Sequence, residues 1–310
     1  MKTRPFQQVD VFTDQPYFGN PLAVVLDGQG LDDAAMQRFA RWTNLSETTF
    51  LLPPHNPAAD YRVRIFTPDR ELDFAGHPTL GSCHSWLQAG GAPRSREFIV
   101  QECRVGLVKI RPESIAAGRQ RLAFAAPPLK RSAPSPAVLA QIAAALGLRA
   151  SQIIAAQVLD NGLAWHGLLL DNPDTVLQIT PDYQTLAKLS VDVGVASIYP
   201  RNGQPQLIAR ASREAQAFGG KTPADAGPVP DLEVRAFAGS VGGFEDPVTG
   251  GLNASLAQWL ITDKHAPERY LASQGVCLGR AGQVYIERDA SGQVWVGGES
   301  VTCIAGQVML

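Results

Sequence analysis

The chain predicts an α+β fold of two pseudo-symmetric lobes, each a curved, mostly antiparallel β-sheet or barrel wrapped around one central α-helix. Three observations carry this reading. First, FAGHPTLGS (residues 74–82) and FEDPVTGGL (residues 244–252) read as copies of one helix start. Each has a polar residue (His77, Asp246) before a proline (Pro78, Pro247), and a glycine (Gly81, Gly250) three residues further on. Proline suits the first helical position because its fixed φ fits the helix and its missing N–H has no partner there. Second, VRIF (63–66) precedes the first copy and VRAF (234–237) precedes the second. Third, strand-like runs rich in apolar residues follow both. A helix start leaves amides unpaired at a positive dipole end and can hold a carboxylate or another small anion. Two such starts point to one anionic small molecule gripped from both sides.

Taken in order, MQRFARWTNLSETTFLLP (36–53) reads as an amphipathic helix running into a strand, with Met36, Phe39, Ala40 and Thr43 on one face. The first central helix follows, its face marked by Leu80, Cys83, His84 and Leu87. EFIVQEC, GLVKIRPE and RLAFAAPP supply the next strands. The join is AAPPLKRSAPSP (125–136), rich in proline and small residues, which divides the chain into 1–128 and 129–310. Ser135 caps and Pro136 opens a helix that Gly147 stops. YQTLAKLSVDVGVASIYP (183–200) echoes 36–53, with Phe39 over Leu186, Ala40 over Ala187 and Pro53 over Pro200. The second central helix shows Leu252, Ser255, Leu256 and Trp259, and small or apolar residues between these positions suit both helices to enclosure by a sheet. GQVYIERD, GQVWVGGE and TCIAGQVML complete the second lobe, the last being a candidate to return to the first.

Bulk properties narrow the function. With 27 basic and 29 acidic residues in 310, net charge −2 and no basic stripe, nucleic acid is not an expected partner. No apolar run approaches the roughly 20 residues that span a bilayer, so no membrane is expected and a cytoplasmic location follows by default. Four scattered cysteines without a C-x-x-C pair read as reduced thiols. The glycine-rich stretch 239–251 lacks a P-loop lysine and dinucleotide spacing, and AGSVG (238–242) misses the first glycine of a nucleophile elbow. His77, Cys83 and His84 have no recognisable metal spacing. With neither cofactor nor metal called for, the chemistry open to Glu, Asp and His is proton transfer.

Repeats differ where function lies. Aligned on these motifs, Glu47 faces Gly194 and His77 faces Asp246, so a bound molecule would meet Glu47 and His77 from one lobe and Asp246 from the other. Burial of Glu47 at its strand entry would raise its pKa from about 4.3 toward the 6–7 of a neutral-pH acid/base; a solvated strand-entry glutamate is the alternative. Asp246 before proline is also a favoured helix cap. His77 is a poor cap, and the helix dipole would keep it neutral. His84, on the apolar face, reads as packed.

The chain resembles the PhzF-like family of phenazine-biosynthesis isomerases over its whole length. The resemblance rests on VDVFTDQPYFGNPLAVVL (9–26), NLSET (44–48), FTPDRELDFAGHPTLG (66–81), EDPVTG (245–250) and QGVCLGR (274–280). It implies the diaminopimelate-epimerase-like fold and a homodimer. It also implies that Glu47 transfers the proton while His77 and Asp246 line the same cavity. Asn20, Ser46, Asp73, Gly76, Thr249, Gly250 and Gly251 complete the expected substrate-binding set. One departure stands at Gly251, where family members commonly have serine. The epimerases and racemases of this fold use a cysteine at each helix start, and the corresponding positions here read as Ala75 and Val248, which excludes two-thiol racemisation. The expected activity is a cofactor-independent isomerase acting on a small unsaturated or cyclic carboxylic acid. Epimerisation at one carbon and a non-catalytic ligand-binding role are the alternatives.

Overall fold

The computed structural model describes residues 1–115, 119–200, 228–241 and 243–310, so Gly242 of AGSVG lies outside the described residues. Among the described residues the strands form one hydrogen-bonded ribbon with two equal halves. The first half runs, neighbour to neighbour, Ser300–Met309, Thr3–Val11, Asn20–Val25, Glu47–Leu52, Tyr61–Phe66, Ile99–Cys103, Gly106–Ser114 and Gln120–Ala125. The second runs Lys130–Ser132, Ile153–Asp160, Ala164–Leu170, Asp192–Ile198, Leu232–Ala238, Arg269–Gln274, Gly282–Arg288 and Val294–Gly298. Gln120–Ala125 pairs antiparallel with Val294–Gly298 and joins the halves. Parallel pairs fall at the same two places in each half, and all others are antiparallel. The fold is therefore α+β with duplicated lobes. The strand Ser300–Met309 pairs with Thr3–Val11, and Lys130–Ser132, inside the proline-rich join, pairs with Val158, Leu159 and Asp160.

Local sequence explains the layers. In Tyr61–Phe66 the side chains of Tyr61, Val63 and Ile65 are buried while Arg62 and Arg64 lie outside, the period-two pattern of a strand with one face on a core. The central helices, Gly76–Gln88 and Gly250–Thr262, bury nine and ten of their thirteen residues, so they are enclosed rather than amphipathic. Neither has a side-chain cap hydrogen bond. A cap contributes about 1 kcal/mol, whereas full burial of a side chain such as Leu252, Leu256 or Leu260 contributes about 1.5–3 kcal/mol. Enclosure holds these helices. Close packing needs small residues: a Cβ on Gly81 would stand 2.6 Å from Leu22 Cδ2. The core is continuous across both lobes. An outer layer of Met36 and Phe39 covers Phe50 and Phe66, and its counterpart of Ile142, Val176 and Leu186 covers Phe237. Among the described residues no helix is long and apolar enough to cross a membrane.

The strand registers correct the motif alignment. Ile65 pairs with Leu72 and Phe66 with Glu71; Ala236 pairs with Asp246 and Phe237 with Glu245. Leu72 is thus the counterpart of Asp246, and His77 is that of Gly251. The helices begin at Gly76 and Gly250, capped by Ala75 and Thr249, so Pro78 is the third helical residue and Pro247 precedes its helix by three. Pro78 still costs no hydrogen bond, because the first intrahelical donor is Thr79 N to Ala75 O at 3.2 Å. Likewise Thr49 pairs with Ile65 where Gly194 pairs with Ala236, which puts Glu47 opposite Asp192 rather than Gly194. A duplicated device confirms the frame. Arg64 grips Glu71 through two bonds of 2.7 Å and stacks on Phe66, while Arg235 grips Glu245 at 2.8 and 2.7 Å and stacks on Phe237.

Candidate active site

The two central helices meet start to start. A Cβ on Gly76 would lie 2.8 Å from the carbonyl carbon of Gly250, and one on Gly250 would lie 3.0 Å from His77 N. Only glycine lets the backbones approach this closely. Two positive dipole ends with first-turn amides free of intrahelical partners are thereby brought to one place.

Glu47, the first residue of its strand, and His77, the second of its helix, face one another. Glu47 Oε2 lies 3.4 Å from His77 Nδ1, with side-chain exposures of 15% and 5%. Burial, with a smaller push from the Asp246 carboxylate, drives the Glu47 carboxyl up to about 8. Burial drives His77 down to about 3 against the opposing effect of a backbone hydrogen bond with Pro21. At neutral pH the imidazole is therefore neutral and Glu47 mostly protonated, so the contact is not an ion pair. Glu47 Oε2 and His77 Nε2 are buried without a hydrogen-bond partner among the described residues. Such groups normally find one, and each orphan costs about 1–3 kcal/mol.

Asp246 comes from the other lobe into the same group. Its Oδ1 accepts from Asn20 Nδ2 at 3.0 Å and from Ser46 Oγ at 3.4 Å, and its Oδ2 accepts from Thr249 Oγ1 at 2.5 Å. Burial raises its pKa while these three bonds oppose the rise. Asn20, fully buried, also donates to Val248 O at 2.9 Å and ties the lobes together.

Among the residues read from sequence, Asn20, Ser46, Glu47, His77, Asp246 and Thr249 are thus gathered, with Gly76 and Gly250 forming the floor. Gly251 adjoins them, its carbonyl accepting from Asn161 Nδ2 at 3.0 Å; a Cβ there meets nothing within 4 Å among the described residues. Asp73 stands apart, its side chain 66% exposed and paired with Arg104 Nε at 3.1 Å. His84 is packed against the last strand, its Nε2 3.0 Å from Thr302 Oγ1. The helix-start counterparts are Ala75 and Thr249 rather than Ala75 and Val248, and neither is a cysteine.

Gln274 is the residue that sequence reasoning missed. Its Nε2 donates to Asp246 O at 3.1 Å and to Thr249 Oγ1 at 3.0 Å; its Oε1 accepts from Thr249 N at 3.0 Å and Asn253 Nδ2 at 2.8 Å. It opens QGVCLGR, but an amide at a strand end carries no signal until its partners are seen. Among the described residues no group of three or more His, Cys, Asp or Glu side chains is arranged to hold a metal ion.

The family model described as "Phenazine biosynthesis-like protein" matches residues 9–306. The chain belongs to this family. An uncharacterized isomerase of Mesorhizobium japonicum is 32% identical over 100% of both chains. The trans-2,3-dihydro-3-hydroxyanthranilate isomerase of Pseudomonas aeruginosa is 30% identical over 92% of this chain and 90% of its own. The solved structure of a predicted epimerase from the same organism superposes with a TM-score of 0.75 at 26% identity, over 99% of each chain. The phenazine biosynthesis-like proteins thus include named isomerases, and this chain is an enzyme of that isomerase family.

Proposed function

We propose that this protein moves a proton between carbons of a small unsaturated or cyclic carboxylic acid bound between the lobes, without a cofactor. The observation that carries the reading is Glu47, whose pKa of about 8 beside a neutral His77 keeps both its protonation states accessible near neutral pH. As carboxylate, Glu47 removes a proton from one substrate carbon, and the electron pair left behind delocalises into the conjugated carbonyl. The protonated Glu47 then delivers a proton to a second carbon, and exchange of its carboxyl proton with solvent between the two steps is what lets D₂O label the product. The helix-start amides hold the substrate carboxylate, while His77 Nε2 and Asp246 bond its polar groups and fix its position.

The other half of the duplication supports isomerisation over two-base epimerisation. Asp192, the counterpart of Glu47, is engaged by Ser240 N at 2.9 Å and Ser240 Oγ at 2.7 Å, and the counterpart of His77 is Gly251. One free acid therefore serves one face of the substrate. The Pseudomonas aeruginosa relative is named for a cyclic unsaturated amino acid, which is the chemical type proposed here. The resemblance also brings a homodimer into the proposal.

Incubating wild type and Glu47→Gln with candidate acids in D₂O tests the reading. Wild type incorporates deuterium or shifts the ultraviolet spectrum of its substrate, and the variant loses about 10²–10⁴-fold in rate. Equal exchange by both proteins refutes it.

A further inference from the structure

Three glycines stand where the helices meet, and two of them have a steric reason to be glycine. Gly76 and Gly250 press backbone against backbone, but a Cβ on Gly251 would meet nothing within 4 Å among the described residues, and its φ lies outside the left-handed region. Glycine inside a helix is entropically unfavourable relative to alanine, so at Gly251 the fold bears a cost for which the protein interior supplies no reason.

The register gives the position its meaning. Gly251 is the second residue of its helix, where the other lobe places His77. Three further counterparts change from polar to apolar. Leu163 occupies the place of Asn20, Val191 precedes Asp192 as Ser46 precedes Glu47, and Leu72 occupies the place of Asp246. One half of the duplicated pocket is therefore polar and ionisable. The other carries Leu163, Val191 and Leu72 with its one acid, Asp192, engaged by Ser240, and is open at Gly251, whose carbonyl Asn161 holds in place.

We infer that Gly251 is a specificity-determining residue whose missing side chain admits an apolar flank of the substrate, a ring edge or branched alkyl group, on the side opposite Glu47. The inference rests on the acid site proposed above and sharpens it. The substrate is an amphiphilic unsaturated acid, its polar groups toward Asn20, His77 and Asp246 and its apolar edge over Gly251.

Calorimetric titration of wild type, Gly251→Ala and Gly251→Val with benzoate and with crotonate tests this, with thermal melts confirming that each variant is folded. The ratio of benzoate to crotonate affinity falls about tenfold or more in Gly251→Val, the scale on which hydrophobic pockets discriminate by one or two carbons. It falls less in Gly251→Ala, whose melting temperature stays at or above that of wild type. An unchanged ratio in a folded Gly251→Val overturns this inference and leaves the acid site standing. If wild type binds neither acid, both fall together.

Discussion

Replacing Glu47 by glutamine is expected to make the protein more stable, by an amount that grows with pH. Folding raises the Glu47 pKa from 4.5 to about 8. Below pH 4.5 the carboxyl is protonated in both the folded and unfolded states, and the site carries no penalty. Between pH 4.5 and 8 the unfolded chain releases the proton while the folded protein retains it, so wild-type stability declines as pH rises, with a limiting slope of about 1.4 kcal/mol per pH unit. From pH 5 to 7.5 that is about 3 kcal/mol, and roughly 2–3 kcal/mol once the 15% exposure of the side chain is allowed for. Glutamine is neutral throughout and escapes this loss. His77, whose folded pKa is lowered to about 3, weakens the fold as pH falls below 6.5, but it does so in both proteins and cancels in the comparison. Urea unfolding of the two proteins at pH 5, 6, 7 and 8 measures the difference. A stability gap near zero at pH 4.5–5 that widens to about 2–3 kcal/mol at pH 7.5 supports a buried, largely protonated Glu47. A gap independent of pH, or a less stable variant at pH 7.5, refutes it.

Three further outcomes follow from the geometry. Gln274→Leu leaves Thr249 N and Asn253 Nδ2 without their shared acceptor; denaturant unfolding should show a loss of about 2–4 kcal/mol, together with reduced turnover as Asp246 loses its support. Arg235→Met strands Glu245 in a site where the paired side chains are only 5% and 3% exposed, and should cost about 3–5 kcal/mol. Arg64→Met, with the same bidentate geometry at 20% and 14% exposure, should cost distinctly less in the same assay. Gly76→Ala should destabilise by about 1–3 kcal/mol through overpacking against Gly250, while Gly251→Ala should be neutral or stabilise by up to about 1 kcal/mol; parallel thermal melts compare them.

Much of the architecture was legible because local chemistry repeats along the chain. Alternation in YRVRIF and helical spacing from Leu80 to Leu87 mark elements that then form. The site residues were legible in part. Glu47, His77 and Asp246 stood out as ionisable groups in otherwise apolar or glycine-rich settings, and they converge. Equivalence between the halves was misread because loop lengths differ. Four residues separate Phe66 from Glu71 but seven separate Phe237 from Glu245, so matching the Pro dipeptides slid His77 over Asp246. A helix that ends one position earlier in the matched frame and one residue fewer between helix and strand together slid Glu47 over Gly194 in place of Asp192.

Sequence alone determined which segments become strands and enclosed helices, since periodicity and side-chain size are properties of neighbouring residues. Tertiary structure decided what those segments do together. Hydrogen-bond register chose the counterparts, the contact of Gly76 with Gly250 brought two helix dipoles to one point, and burial set the protonation of Glu47 and His77. Each of these depends on residues from different elements meeting in space, some more than a hundred positions apart, in a low-dielectric interior where separation in space rather than along the chain governs the energy.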